Sequence, residues 1–185
     1  MEYLHSKEVS ALLKAAHEYG NREAWLCLSV MYSTGTRVSQ ALALKGVDII
    51  PNLDKGGYRI RVFKAKRGKT RVYDVQTSTA AHFDQRELIE LAKVRGTNRL
   101  FGGLTRNYLH RLIKKFATIA GLHTDMVHAH TIRHSAAMVV YARTGRIGAV
   151  SGFLAHSNPS AAFVYVQEND GRLADAAIAA EFAAA

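Results

Sequence analysis

The apolar positions of the chain recur mostly at helical spacing. Near the start, Val9, Leu12, Leu13 and Ala16 fall on one face of a helix, and Ser6 before them is a residue type that caps helix N-termini. Comparable stretches follow through most of the sequence, separated by residues that favour turns, such as glycine, proline and asparagine. The helices that this pattern predicts are 7–19, 22–33, 38–44, 79–93, 105–119, 131–142, 146–154 and 159–166.

One region alternates between apolar and basic positions instead. Within residues 58–75, Tyr58, Ile60 and Val62 are separated by arginines, a spacing that is typical of a half-buried strand and predicts a β-hairpin. The apolar run at 47–50 predicts a further short strand. The fold class is therefore mixed α+β, mainly α-helical, with a small antiparallel β-hairpin sheet.

The length of 185 residues is enough for one domain with a substantial core. Residues 1–170 contain no linker or internal repeat, so we predict a single domain there. The remaining tail, 171–185, is alanine-rich, with high helix propensity and an apolar stripe. From residue 168 to the end there are four acidic residues and one arginine, so this predicted helical tail is acidic where the rest is basic.

The charge balance points to a polyanionic partner. There are 25 Lys and Arg residues against 15 Asp and Glu, which gives a net charge of +10 and an isoelectric point near 9.9. Nucleic acid is the commonest such partner, although many basic proteins bind none. The lone cysteine, Cys27, lies in an apolar run and is expected to be a core residue. With no secretory signal or membrane span, we expect a cytoplasmic location and no membrane partner.

Two segments concentrate the positive charge. Residues 55–71 hold eight Lys and Arg residues and no acid, and the predicted helix 105–119 also lacks acids. Such a hairpin is either a solvated basic edge or a ribbon that touches phosphates, and the overall charge favours the second. The candidate DNA-binding residues are Lys64, Arg67, Lys69, Arg71, Arg106, Arg111, Lys114 and Lys115.

The stretch "HAHTIRH", 128–134, places three histidines and an arginine at a predicted helix start. His130 and Arg133 are three residues apart and share one helix face. Helix-borne histidines suggest zinc first, but no acid lies between residues 126 and 167, and Arg133 would repel a cation, so we predict no metal site. Hydrogen bonding to the helix N-terminus alone is the structural alternative.

Two further stretches carry residues suited to phosphate chemistry. In "STGTRVSQ", 33–40, Gly35 permits a tight turn into a helix, and the guanidinium of Arg37 fits phosphate oxygens bidentately. In "LAHSNPSAAFVYV", 154–166, His156 precedes a predicted helix and Tyr165 follows nine residues later. Tyr165 has apolar neighbours, so a core position is its structural alternative.

Taken in chain order, these residues resemble the tyrosine recombinase (phage integrase) family. Its order of Arg, Lys, His-x-x-Arg, His and Tyr is complete here, and the likeness runs from about residue 4 to residue 166. The intervals of 23 residues from Arg133 to His156 and nine to Tyr165 are similar to the family's usual spacing. The resemblance implies a tyrosine recombinase/type IB topoisomerase-like catalytic domain. The matching catalytic residues are Arg37, Lys66, His130, Arg133, His156 and Tyr165.

The resemblance implies a role for each side chain in cutting a phosphodiester without a metal or other cofactor. Tyr165 would attack the phosphorus, and His130 would accept the proton of its hydroxyl, whose reference pKa is about 10. Arg37 and Arg133 would hold the non-bridging oxygens, with a further hydrogen bond from His156. The product would be a 3′-phosphotyrosyl intermediate with a free 5′-hydroxyl.

A hairpin lysine donates the proton of the leaving 5′-hydroxyl in this family. Matching "KRGKTRVYDV" to the family's hairpin assigns that role to Lys66, with Lys64 and Lys69 as alternatives. His134 matches a second histidine of the family and is interpreted as a support for the arginine or the helix. Gln40 stands where many relatives have Glu, a change we expect to matter little.

The implied activity is site-specific recombination of double-stranded DNA by integration, excision, inversion or resolution, in a prokaryotic, phage, plasmid or archaeal setting. In relatives the segment after the tyrosine packs on a neighbouring protomer. Residues 171–185 would therefore exchange between protomers of a homotetramer on DNA or fold back on their own domain, and a monomer in the absence of DNA is compatible with either arrangement. Most members carry an N-terminal core-binding domain, which we do not expect within this sequence because residue 4 already matches the catalytic domain. The sequence would then be either a fragment of a longer recombinase or a minimal recombinase.

Two other functions are compatible with the same resemblance. A type IB-like DNA topoisomerase would use the same residues without exchanging strands between two sites. A cleavage-deficient DNA-binding regulator of the same fold would not need the complete catalytic set, which argues against it.

Overall fold

The computed structural model describes residues 3–52, 58–64, 69–75 and 85–155. The mixed, mainly helical architecture confirms the predicted fold class. The predicted helix 159–166, the tail 171–185 and the first part of the predicted helix 79–93 lie outside the described residues. The helices are α1 (Ser6–Glu18), α2 (Arg22–Thr34), α3 (Val38–Leu42), α4 (Gln85–Arg95), α5 (Arg106–Ile119), α6 (Ala129–Thr144) and α7 (Ile147–Leu154), and the strands are β1 (Ile49–Pro51), β2 (Tyr58–Lys64) and β3 (Lys69–Val75).

The first two helices begin at capped positions. The predicted cap of α1 at Ser6 is wrong, because the helix already includes Ser6 and His5 is the residue that precedes it. The carboxylate of Glu8 accepts a hydrogen bond from the backbone N–H of His5 at 2.7 Å, which stabilises this start. In α2 the side-chain oxygen of Asn21 accepts from the backbone N–H of Ala24 at 3.0 Å.

Helix α2 forms the centre of the main hydrophobic core. Its residues from Ala24 to Met31 are all buried, so the helix is covered on nearly every face rather than along one stripe. Cys27 is fully buried there, and burial raises the pKa of its thiol, which confirms the expected core position. The aromatic side chains of Phe101 and Phe116 belong to the same core.

The described strands form one antiparallel sheet in the order β1-β2-β3. Tyr58, Ile60 and Val62 of β2 are buried against the core, as the alternating pattern predicts. Tyr58 pairs with Val75 at one end of the β2–β3 ladder. The predicted hairpin is therefore confirmed, with its connecting residues 65–68 outside the described part of the chain.

The predicted strand 47–50 is only partly correct. Gly46–Asp48 form a 3₁₀ turn, and the strand begins at Ile49. The side chain of Asp48 accepts from the backbone N–H of Lys45 at 2.9 Å, and the N–H of Val47 donates to the carbonyl of Gly96 at 2.8 Å. These bonds occupy backbone groups that a longer strand would need for its ladder.

Helices α6 and α7 pack on each other around a smaller apolar cluster, formed by Ala137, Met138, Tyr141, Val150 and Leu154. The N-terminal segment is attached to α6, because the backbone N–H of Leu4 donates to the hydroxyl of Ser135 at 2.8 Å. The helices of the described residues are all too short or too polar to cross a bilayer.

Candidate functional site

A cleft of about 530 Å³ lies where the α2–α3 turn and the N-terminal turns of α5 and α6 meet. None of the described residues that line it is acidic, so the potential inside favours an anion. Within the described residues no cluster of His, Cys, Asp or Glu is arranged to hold a metal ion. The polar residues of the lining are Arg37, Ser39, Arg106, His110, His128, His130 and Arg133.

Arg133 is the buried cation of the cleft, with 2 % of its surface exposed. Its guanidinium donates one hydrogen bond to the carbonyl of Gly35, and a second to the carbonyl of Leu154 at 2.9 Å. These carbonyls belong to two different segments. Gly35 lies in the α2–α3 turn, and Leu154 is the last residue of α7. Arg133 therefore joins three segments of the fold at the same place where it faces the cleft.

Arg37 lies at the N-cap position of α3 and its side chain is exposed. The backbone N–H of Arg37 donates to the side-chain oxygen of Gln40 at 3.0 Å, which closes the first turn of α3. An amide oxygen accepts this bond as a carboxylate oxygen would. That glutamine has little consequence at this position stays a prediction.

Gly35 shapes the turn that presents Arg37. Its φ is +61°, a left-handed conformation that glycine adopts without strain. A Cβ at this position would lie 2.5 Å from the ring of Phe153 and 3.1 Å from the side chain of Leu154, so α7 packs directly on the glycine. Gly35 is therefore required both for the backbone turn and for the approach of α7.

Replacing Gly35 with alanine is expected to lower the free energy of unfolding by about 2 kcal/mol or more, because the left-handed cost adds to overpacking against Phe153. Urea denaturation measures the loss. Gly145→Ala is the matched control, since Gly145 also ends a helix, at a φ of +62°, with nothing within 4 Å of the added Cβ. Equal losses in the two variants would show that the contact with Phe153 contributes nothing.

His130 faces the cleft and packs against His134. The two ring centroids are 4.2 Å apart with an interplanar angle of 87°, an edge-to-face contact. Partial desolvation, together with the positive charges of Arg133 and its neighbours, lowers the pKa of His130. A neutral imidazole is therefore favoured at neutral pH, and a neutral ring can accept a proton.

The ring signal of His130 is expected to titrate below the ordinary histidine value of about 6.5. Between the lowered pKa and 6.5 the unfolded chain holds more protons than the folded one, so stability is lost as the pH falls through this window. Histidine NMR measures the midpoint, and His130→Gln identifies the signal. In the same variant, Tm should decrease less as the pH falls. A midpoint at or above 6.5 would contradict the expectation.

The basic side chains of α5 divide among different faces. Arg106 lines the cleft, and so does His110 one turn later. Lys114 donates to the carbonyl of Thr124, and the ammonium of Lys115 lies 4.7 Å from the ring centroid of Tyr19. The guanidinium of Arg111 lies 5.8 Å from the ring centroid of Tyr108. Of these predicted DNA-binding residues, only Arg106 is brought to the cleft.

Of the predicted catalytic residues, Arg37, His130 and Arg133 are brought together in the cleft. Lys66, His156 and Tyr165, and Arg67 of the predicted DNA-binding set, lie outside the described residues. Lys64 lies on β2, and Lys69 and Arg71 lie on β3; their side chains are outside the described part of the chain.

The prediction did not include Ser39, His110 and His128, which also line the cleft. His110 could have been found from its four-residue spacing to Arg106, and His128 from its place just before α6.

Comparisons with known proteins show the family of the chain. The model of the phage integrase family matches residues 2–172. The tyrosine recombinase XerH of Helicobacter pylori (strain ATCC 700392 / 26695) is 26% identical over 183 residues, which cover 96% of this chain and 48% of that protein. XerD of Ralstonia nicotianae is 30% identical over 155 residues, 79% of this chain and 48% of the relative. The chain spans about half the length of these curated relatives.

Solved structures show the same likeness. XerH bound to a palindromic difH substrate, in a post-cleavage complex, superposes with a TM-score of 0.78 at 26% identity, covering 95% of this chain and 52% of that one. The catalytic domain of bacteriophage HP1 integrase gives a TM-score of 0.64 at 20% identity, covering 90% and 88% of the two chains, and shows the fold alone.

Proposed function

Because the chain belongs to the phage integrase family, we propose that it cuts and rejoins DNA at a specific site through a 3′-phosphotyrosyl intermediate on Tyr165. The observation that carries the proposal is the cleft in which Arg37, His130 and Arg133 converge without an acidic neighbour among the described lining residues. The relatives reported above are named tyrosine recombinases, and the XerH structure is bound to a palindromic difH substrate.

In the proposed reaction the phosphate of double-stranded DNA occupies the cleft. Arg37 and Arg133 bind its non-bridging oxygens, whose negative charge grows in the transition state. Arginine suits this role because it stays charged and offers paired donors. Arg106, which lines the cleft at the first turn of α5, would contact the adjoining DNA backbone.

The bond changes balance without a cofactor. The oxygen of Tyr165 bonds to phosphorus as its proton passes to neutral His130, and the bond from phosphorus to the 5′-oxygen breaks. Lys66 donates a proton from its ammonium group to that oxygen, and His156 adds a hydrogen bond to the phosphate. Since the phosphodiester energy is kept in the tyrosyl ester, a second 5′-hydroxyl can reverse the step on another strand.

We extend the proposal to assembly and to DNA contact by the hairpin. Recombination between two sites cuts four strands, so we propose that four subunits, each with one Tyr165, act together on DNA, with residues 171–185 exchanged between them. Lys64, Arg67, Lys69 and Arg71 would contact phosphates beside the cleft. Each such contact contributes about one unit to the slope of log affinity against log salt.

The proposal is tested with a pool of nicked duplexes that carry randomised half-sites, in EDTA and low salt. Covalent protein–DNA adducts are isolated, their DNA is sequenced, and the protein is digested with trypsin. The expected modified peptide is 147–172, which lies between Arg146 and Arg172 and contains Tyr165 as its single tyrosine.

Each alternative function gives a different result in this assay. DNA binding without an adduct would favour the cleavage-deficient regulator. Adducts accompanied by relaxation of supercoiled DNA, with no exchange between two sites, would favour the topoisomerase.

A further inference from the structure

His128 caps helix α6 at the turn that carries the cleft residues. Its Nδ1 accepts a hydrogen bond from the backbone N–H of Thr131 at 3.1 Å. The Thr131 hydroxyl donates to the carbonyl of Met126 at 2.7 Å, so its oxygen, 3.0 Å from the same Nδ1, turns a lone pair rather than its proton toward the imidazole. Since Thr131 is 1 % exposed, solvent cannot replace the ring nitrogen as an acceptor. The cap therefore fixes the turn that presents His130 and Arg133.

The cap requires a neutral imidazole. A protonated Nδ1 is a donor, which can bond the Thr131 hydroxyl oxygen but cannot receive the Thr131 N–H, so the ring that caps the helix is neutral with its proton on Nε2. The helix N-terminus is also the positive end of the dipole. Among the described residues, the charged and titratable groups that line the cleft with His128 are all basic, namely Arg37 from the α2–α3 turn, Arg106 and His110 from α5, and His130 and Arg133 from α6 itself.

The His128 ring also lies beside that of His130. The ring centroids are 6.4 Å apart with an interplanar angle of 21°. Protonation of His128 would therefore place a positive charge next to His130, the predicted proton acceptor, and would also remove the hydrogen bond that caps α6. Both effects act on the same turn of α6.

We propose that His128 is a positioning residue, which holds the first turn of α6 in place only while its own imidazole is neutral. Its action on DNA cleavage rests on the proposed function, whereas the cap and its dependence on protonation do not. Acidification then disorders the placement of His130 and Arg133 through His128, apart from any protonation of His130.

The test compares His128→Ser, which keeps an oxygen acceptor but cannot titrate, with His128→Ala, which has no acceptor. In the full chain, the ¹⁵N–¹H NMR signal of the Thr131 amide is followed from about pH 8 to pH 5, where histidines titrate. We expect it to move with the His128 ring in the wild type and in His130→Gln, and to lose this transition in His128→Ser. Amide exchange at Thr131 should be about fivefold faster in His128→Ala, the factor given by a lost cap of about 1 kcal/mol.

Cleavage of the nicked duplex gives the second readout. The ratio of the rate at pH 7.5 to the rate at pH 6 should be smaller in His128→Ser than in the wild type, and His128→Ala should cleave about fivefold more slowly than His128→Ser. A Thr131 amide that does not follow the His128 ring, or equal pH ratios in the wild type and His128→Ser, would overturn the proposal. If no protein in the series cleaves DNA while the amide behaves as expected, the proposed function fails and the placement by His128 stands.

Discussion

The Tyr165→Phe variant is expected to form no covalent DNA adduct and to retain DNA binding. Phenylalanine keeps the ring but removes the oxygen that bonds to phosphorus, so cleavage should fall on the order of 10⁴-fold or more. Binding is carried by the basic side chains and should change little. The measurement is adduct formation on a nicked duplex beside an equilibrium binding curve with the same DNA.

Tyr141 and Tyr108 provide the matched controls. Tyr141 is 8 % exposed in the α6–α7 cluster, and Tyr108 lies on α5 with 36 % of its surface exposed. Tyr141→Phe and Tyr108→Phe remove the same oxygen atom and should both keep the adduct. If the adduct persists in Tyr165→Phe and disappears in one of the controls, the nucleophile is that tyrosine.

The sequence predicted the elements of the fold because their causes are local. Helix α1 was predicted at 7–19 and spans Ser6–Glu18, and α2 was predicted at 22–33 and spans Arg22–Thr34. The spacing of apolar residues and the positions of turn residues act over a few neighbouring positions, so the sequence alone predicts the helices. Even the error at the α1 cap is a shift of one residue.

The contacts that assemble the cleft could not be predicted in this way. Arg133 bonds to carbonyls that lie 98 and 21 residues away, and nothing in "HTIRH" indicates either partner. The packing of α7 against Gly35 likewise joins residues that are far apart in the sequence. Conversely, Arg106 and Lys114 were both candidate DNA-binding residues, whereas tertiary packing brings Arg106 to the cleft and bonds Lys114 to the carbonyl of Thr124. Residue types indicated the chemistry, and long-range packing gave Arg133 its second role.

Replacing Arg133 with lysine is expected to reduce both cleavage and stability. One ammonium cannot bond the carbonyls of Gly35 and Leu154 together and also present paired donors to a phosphate. We expect cleavage to fall about 10²–10³-fold, as for loss of a transition-state donor. A buried carbonyl left without a donor should lower the free energy of unfolding by about 1–3 kcal/mol. Single-turnover cleavage and urea denaturation measure the two effects.

Two further lysine variants separate these roles. Arg37 is exposed, so Arg37→Lys should lose cleavage to a similar extent while its free energy of unfolding stays within about 0.5 kcal/mol of the wild type. Arg143, exposed in the last turn of α6, is the control on the same helix as Arg133, and Arg143→Lys should change neither quantity. If Arg133→Lys lost stability but cleaved like the wild type, Arg133 would be a structural residue only. If it lost cleavage with unchanged unfolding, the bonds to Gly35 and Leu154 would not hold the three segments together.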